Sequence, residues 1–261
     1  ALPELVLPTG AEIGLYAEVH GLEADESGTT AYRVTLSVQA PDVTLRHLTI
    51  RGSGMGLFEM DAGIFLDKGA HRALVEENDV LGNLISIYVW GPEAVMVRNN
   101  RIVGDRTLRV SERGNGVQLW NSPDTQVIGN DIQYGRDGIY TNTSKRNVFK
   151  GNRFEHLRFG VHYMYTQDSE MSDNLSVNNQ IGYALMMSDR LAIRNNVSLG
   201  SKEHGLALNS INSSTIEGNR IEGHRDGIYL EFVEDSEIVD NTSTGNLRYG
   251  LHFMFSDRCP Y

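Results

Sequence analysis

The chain has 261 residues, 27 glycines, one cysteine and a net charge of −11, from 23 Lys and Arg against 34 Asp and Glu. That charge repels phosphate backbones and argues against non-specific nucleic-acid binding. The lone Cys259 excludes an internal disulfide framework and a multi-cysteine zinc site. No apolar run approaches the roughly 20 residues a membrane-spanning helix needs, so the chain reads as soluble.

The start, Ala1-Leu2-Pro3, suits the mature end of a secreted protein, and a trimmed chain would start in the same way. Residues 1–32 read as an N-terminal cap, and 33–261 as the rungs of the same single domain. From residue 63 one unit recurs: glycine or a small residue, four or five residues alternating apolar and variable, a turn, and a segment ending in Asn-x-apolar or Asn-x-Ser. The units begin at Gly63, Ser86, Gly116, Gly138, Gly160, Gly182, Gly205, Gly227 and Gly250, spaced by 22 or 23 residues apart from one interval of 30. Asparagine keeps step at Asn78, Asn100, Asn130, Asn152, Asn174, Asn196, Asn219 and Asn241. Such a strict period marks a solenoid. Twenty-two residues are too few for the helix pairs of the common repeat families, and the stretches GIFL, GVQLW, GIYT and GVHYMY alternate as strands do. The predicted fold is therefore all-β, a right-handed parallel β-helix of about nine 22–23-residue rungs and roughly 43 Å long.

Two columns are predicted to face the core: the residue after each glycine, from Ile64 to Leu251, and the residue three before each asparagine, from Val75 to Ile238. The asparagines are expected to stack and bond along the ladder. The intervals into Gly63 and Gly116 carry about eight extra residues each, near 52–61 and 104–114. Both insertions precede the first strand of a rung, so both loops should wall the same face. Met55 and Met60 in the first loop read as exposed filler. At the end, Cys259-Pro260-Tyr261 stops in mid-rung without a polar cap, which reads as a fragment of a longer protein or an end docked on a partner.

Residues two and four past each glycine should point outward. In rung order they include Phe65/Asp67, Tyr88/Trp90, Gln118/Trp120, Tyr140/Asn142, His162/Met164, Ala184/Met186, Ala207/Asn209, Tyr229/Glu231 and His252/Met254. His162, Met164 and Met186 form the sharpest group, because the two methionines occupy equivalent places in neighbouring rungs. Thioether sulfur with imidazole is a soft donor set that suits Cu(I) and not Ca²⁺ or Mg²⁺. Met187 and His204 are secondary candidates, and His252/Met254 repeats the pattern four rungs on, roughly 19 Å away by strand stacking. Against this stands a plainer reading, since methionine also fills irregular gaps and adaptable protein interfaces; Met171, with its inward register, is read as core.

An enzymatic reading uses the same groove. Arg136-Asp137-Gly138-Ile139-Tyr140 recurs as Arg225-Asp226-Gly227-Ile228-Tyr229, with Arg158, Arg248, His162 and Glu231 nearby. Trp90, Trp120, Tyr140 and Tyr229 offer surfaces for a sugar or a partner, as in a polysaccharide lyase or uronate C5-epimerase. The outward columns lack the carboxylate cluster of a calcium-dependent lyase, and the Arg-Asp pairs read more simply as ion pairs between rungs.

The runs Glu112–Trp120, Tyr134–Tyr140, Leu157–Tyr165, Gly182–Arg190 and His204–Asn209 resemble the NosD family. The resemblance extends from about residue 33 to the end and is strongest over 112–209, while 224–258 is similar to another branch of the family. Family members are typically longer than this chain. The resemblance implies a periplasmic, non-catalytic β-helix that helps mature nitrous oxide reductase. It further implies an ABC transporter membrane subunit with its ATPase and a lipoprotein copper chaperone as partners. On this view transient Cu(I) would be received or passed on by the His/Met face during assembly of the reductase's copper–sulfur centre.

Overall fold

Each rung is one long strand and two short ones, separated by corners that the sequence marks. In one rung the long strand is Asp137–Asn142, followed by Val148–Lys150 and Arg153–Glu155, before the chain re-enters the next rung at Phe159–Met164. Between the two short strands one residue lies in the left-handed region: His47, Glu77, Asn99, Gly129, Gly151, Asp173, Asn195, Gly218 and Asp240 in successive rungs. The ladder asparagines follow this residue directly, from Asn78 onward. A computed structural model describes the backbone of residues 5–6, 16–24 and 30–261, and the side chains of residues 36–261.

Equivalent strands stack into three sheets of eleven, ten and nine strands. Pairing from rung to rung is parallel and in register, for example Val117 with Ile139 and Ile139 with Val161. Only Tyr16–Ala24 against Thr30–Val38, and Leu5–Val6 against Thr44–Arg46, pair antiparallel among the described residues. The cap expected over 1–32 lies largely outside the described residues. No helix among the described residues is long and apolar enough to cross a membrane.

Both predicted core columns are inside. Ile64, Ile87, Val117, Ile139, Val161, Tyr183, Leu206 and Ile228 are buried, as are Val75, Val97, Val127, Phe149, Met171, Ile193, Ile216 and Ile238. The asparagine ladder closes as expected: Asn152 Oδ1 accepts from the backbone N–H of Asn130 at 2.9 Å, while its Nδ2 donates to the Val127 carbonyl at 2.8 Å and to Asn174 Oδ1 at 3.0 Å. Each amide thereby satisfies backbone groups at a corner that no strand partner reaches.

The glycine at each rung start does more than begin a strand. A Cβ on Gly138 would lie 2.4 Å from the Gly160 carbonyl oxygen and 2.5 Å from Phe154 Cδ1, so this position faces the core. Ile139 beside it also faces the core. Two consecutive inward residues break the period-two alternation, and the residue before the glycine joins the outer face instead. This bend, missed by simple alternation, builds the site.

Candidate functional site

Two columns run along the outer face of the long-strand sheet. Phe65, Tyr88, Gln118, Tyr140, His162, Ala184, Ala207, Tyr229 and His252 pair in register, and so do Trp90, Trp120, Asn142, Met164, Met186, Asn209, Glu231 and Met254. The first column is sunken: Tyr88, Gln118, His162, Ala184 and Ala207 are buried. Phe65, Tyr88 and Trp90 pack with Ala62 and Ile85 at one end, and Phe159, Met186 and Tyr229 pack with Ile181, Ala184 and Ala207 further along.

Between these apolar patches lies a charged centre built on Asp137, the residue before its glycine. Its side chain is 1% exposed. Arg158, from the next rung, clamps it with two bonds, Nε to Oδ1 at 2.8 Å and Nη2 to Oδ2 at 2.6 Å. His162 Nδ1 lies 2.9 Å from Oδ2. Burial pushes the Asp137 carboxyl up, but the His162 and Arg158 hydrogen bonds outweigh it and hold the group below the usual carboxylate range. Because the Asp137 carboxylate is the acceptor, His162 donates from Nδ1, and Nε2 is the ring nitrogen facing away from it. Nε2 is buried and has no hydrogen-bond partner among the described residues. Rings of Tyr140 and Phe159 flank the imidazole, each with its centroid 5.1 Å away.

The two insertions overhang this centre from one side, as their positions predicted. A cavity of 430 Å³ opens there, with Leu57 and Met60 of the first loop and Arg113 of the second facing Arg136, Tyr140 and His162. The loops are braced: Asp61 Oδ2 accepts from the Gly56 N–H at 2.8 Å, and Arg113 Nε donates to the Leu108 carbonyl at 2.9 Å. The second loop re-enters the rung at Gly114, where a Cβ would meet the Leu84 carbonyl oxygen at 2.2 Å.

Four rungs on, the arrangement recurs with changed parts. Asp226 is buried, accepts two 2.9 Å bonds from Arg248 of the next rung, and lies 3.5 Å from Arg225 and 3.6 Å from His204 Nδ1. Burial raises its carboxyl and Arg248 more than reverses that. For His204, burial pushes the imidazole down, partly opposed by Asp226. Tyr229 stacks on the His204 ring at 4.8 Å and meets His252 edge-on at 5.3 Å. In both copies the aspartate pairs with the arginine of the following rung, so the expected ion pairs between rungs are present.

Residues 98–258 match the family described as periplasmic copper-binding protein (NosD). The chain belongs to the NosD family. It is 39% identical over 207 residues to the probable ABC transporter binding protein NosD of Pseudomonas aeruginosa, covering 79% of this chain and 48% of that relative. The protein of the same description from Stutzerimonas stutzeri is 36% identical over 185 residues, 71% of this chain and 42% of that relative. The chain thus spans about half the length of the curated relatives it matches. Among solved structures, similar folds occur in the catalytic unit of an α-1,3-glucanase from Streptomyces thermodiastaticus (TM-score 0.66, 17% identity, 84% of this chain and 46% of that chain) and in DFA-IIIase from Arthrobacter chlorophenolicus (0.60, 14%, 82% and 60%). The periplasmic alginate epimerase AlgG is a third (0.53, 11%, 75% and 47%). At these identities the likeness is one of fold.

Within this NosD-family groove the predicted soft donors fall at different places. Met164 and Met186 are register partners in adjacent strands, and His162 lies two residues before Met164 on the same face. Met187 sits at the corner beyond, in the left-handed region and 45% exposed. His204 belongs to the Asp226 cluster. Met254 Sδ accepts a bond from the Tyr229 hydroxyl at 3.2 Å, beside His252. Glu231 accepts from Asn209 Nδ2 at 2.7 Å. Trp90 and Trp120 pair in register; Trp90 is covered by Phe65 and Lys68, whereas Trp120 is 43% exposed. Met60 is exposed, as read, and also lines the cavity, because its loop folds over the sheet. No three His, Cys, Asp or Glu side chains converge to hold a metal among the described residues. The sequence marks Asp137 and Asp226 only as ion-pair residues; the repeated Arg-Asp-Gly-Ile-Tyr string is the signal that both anchor a centre.

Proposed function

We propose that this chain is a periplasmic, non-catalytic accessory protein that carries Cu(I) for the copper–sulfur centre of nitrous oxide reductase. In this reading it works with an ABC transporter and receives copper from a lipoprotein chaperone. Membership of a family described as periplasmic and copper-binding carries the proposal, together with relatives named as probable ABC transporter binding proteins. The geometry supports a copper seat at His162, Met164 and Met186. Asp137 fixes the imidazole tautomer through Nδ1, as carboxylates do behind many metal-bound histidines. The remaining nitrogen, with the thioethers of two methionines that are register partners on the same face, would make a small, soft set matched to Cu(I). His252 and Met254 would make a second station of the same type.

Anaerobic titration with Cu(I) against a chromophoric competitor tests this. Stoichiometric binding is expected, lost in both the His162/Met164/Met186 triple-alanine variant and the Met164/Met186 double variant. Undiminished binding in folded variants would remove this face from the route. No binding by the folded parent chain would refute the carrier role.

A further inference from the structure

The cavity beneath the two loops shares His162 with the copper reading, but Arg113 and Arg136 on its walls have no part in that reading. Twelve arginines of the described residues sit in ion pairs with carboxylates, Arg158 with Asp137 among them. Arg136, like Arg51, Arg106 and Arg109, is not among them: its guanidinium has no hydrogen bond or ion pair with any described residue, although its backbone N–H is fixed by a 2.7 Å bond to the Gly114 carbonyl. Arg113 is held by the carbonyls of Leu108 and Arg106, at 2.9 and 3.3 Å, and no described carboxylate lies in ion-pair contact with it. Asp105 acts on Arg113 only from a greater distance. A chain of net charge −11 therefore keeps two guanidiniums without ion-pair partners on one 430 Å³ cavity.

The other walls say what kind of anion fits. Leu57 and Met60 form an apolar side, and Tyr140 contributes an aromatic one. His162 also lines the cavity, and its buried Nε2 has no hydrogen-bond partner among the described residues. A bare inorganic oxyanion would leave the apolar and aromatic walls uncovered. A planar carboxylate matches the guanidinium fork, and an attached ring or hydrocarbon body covers Leu57, Met60 and Tyr140. The volume lies in the range of small-molecule sites. We infer that this cavity is a binding site for one small organic carboxylate, with Arg136 and Arg113 receiving the carboxylate and the loop residues covering its body.

This inference shares the His162 wall with the copper seat but rests on Arg113 and Arg136, which the copper reading does not use. Calorimetric titration of the metal-free chain with benzoate, galacturonate and citrate at constant ionic strength tests it, with galactose and inorganic phosphate as comparators. At least one carboxylate should bind saturably at one site per chain, and galactose should not. Arg136→Gln should weaken that binding by about tenfold or more with an unchanged melting temperature, because its guanidinium holds no described neighbour. Three results overturn the proposal: no saturable binding by any of the three carboxylates, equal binding by Arg136→Gln, or phosphate binding as tightly as the best carboxylate. The Met164/Met186 double-alanine variant separates the two ideas, since it should lose copper and keep the carboxylate.

Discussion

Asp137 combines nearly complete burial with a retained charge, and this sets what its neighbours can do. Arg158 and His162 compensate the buried carboxylate, so its removal strands a partly buried guanidinium and frees the imidazole to rotate. Asp137→Asn should lower stability by about 3 kcal/mol, the usual cost of breaking a buried pair from one side. The pH dependence follows from the lowered folded-state pKa. The stabilisation is complete above the unfolded carboxylate value of about 3.9 and is lost as pH falls through the lower folded value. Denaturant unfolding of parent and variant through that acid range should show a steeper loss in the parent; parallel curves would show that Asp137 is not held charged.

At the scale of elements, the corners between rungs carry the polar chemistry. One corner column contains Leu157, Asn179, Ser201, His224 and Asn246 in successive rungs. Asn179 Oδ1 accepts from the Leu157 N–H at 2.7 Å, His224 Nδ1 from the Ser201 N–H at 2.9 Å, and Asn246 Oδ1 from the His224 N–H at 3.0 Å. His224 is thus a histidine doing an asparagine's work, with Nε2 donating to the Ser198 carbonyl at 2.9 Å. Burial pushes its imidazole below the ordinary value, partly opposed by the bonds to Ser198 and Ser201. Its neutral form contributes stability that is complete above about pH 6.5 and falls away as pH drops toward the lowered folded value. His224→Asn should keep most of the neutral-pH stability and abolish this loss, whereas His224→Ala should cost about 2 kcal/mol by leaving the Ser201 N–H unsatisfied. Melting temperatures of the three proteins above and below pH 6.5 check both; an unchanged slope in His224→Asn would refute the assignment.

Across the whole molecule, each rung touches only its neighbours, so stability is shared along a line. Asn152 serves the rungs on both sides, accepting from Asn130 and donating to Asn174, and is buried. Asn241 accepts from Asn219 but donates only to the Ile216 and Val239 carbonyls and is less buried. Asn152→Ala should therefore cost about 3 kcal/mol, for several orphaned polar groups at once, and Asn241→Ala less. Equilibrium unfolding of both variants measures the difference, and equal costs would argue against nearest-neighbour coupling. The same linear plan explains why two insertions far apart in sequence wall one cavity: each enters at the same point of a rung, and stacking brings those points together.

Periodicity alone determined the β-helix, the rung boundaries, the inward columns and the asparagine ladder, because each is set by residues that recur every rung and satisfy the same backbone and burial needs. It also placed Met164 beside Met186 and put the two loops on one face. The tertiary structure decided what breaks the period. The bend at each glycine turned Asp137 and Asp226 onto the outer face, where alternation would have sent them inward. Pairing across rungs chose Arg158 and Arg248 as their partners. Folding of the first loop over the sheet made the exposed Met60 one wall of a cavity. Those outcomes depend on how side chains from different rungs meet in space, and a column read one position at a time does not contain that information.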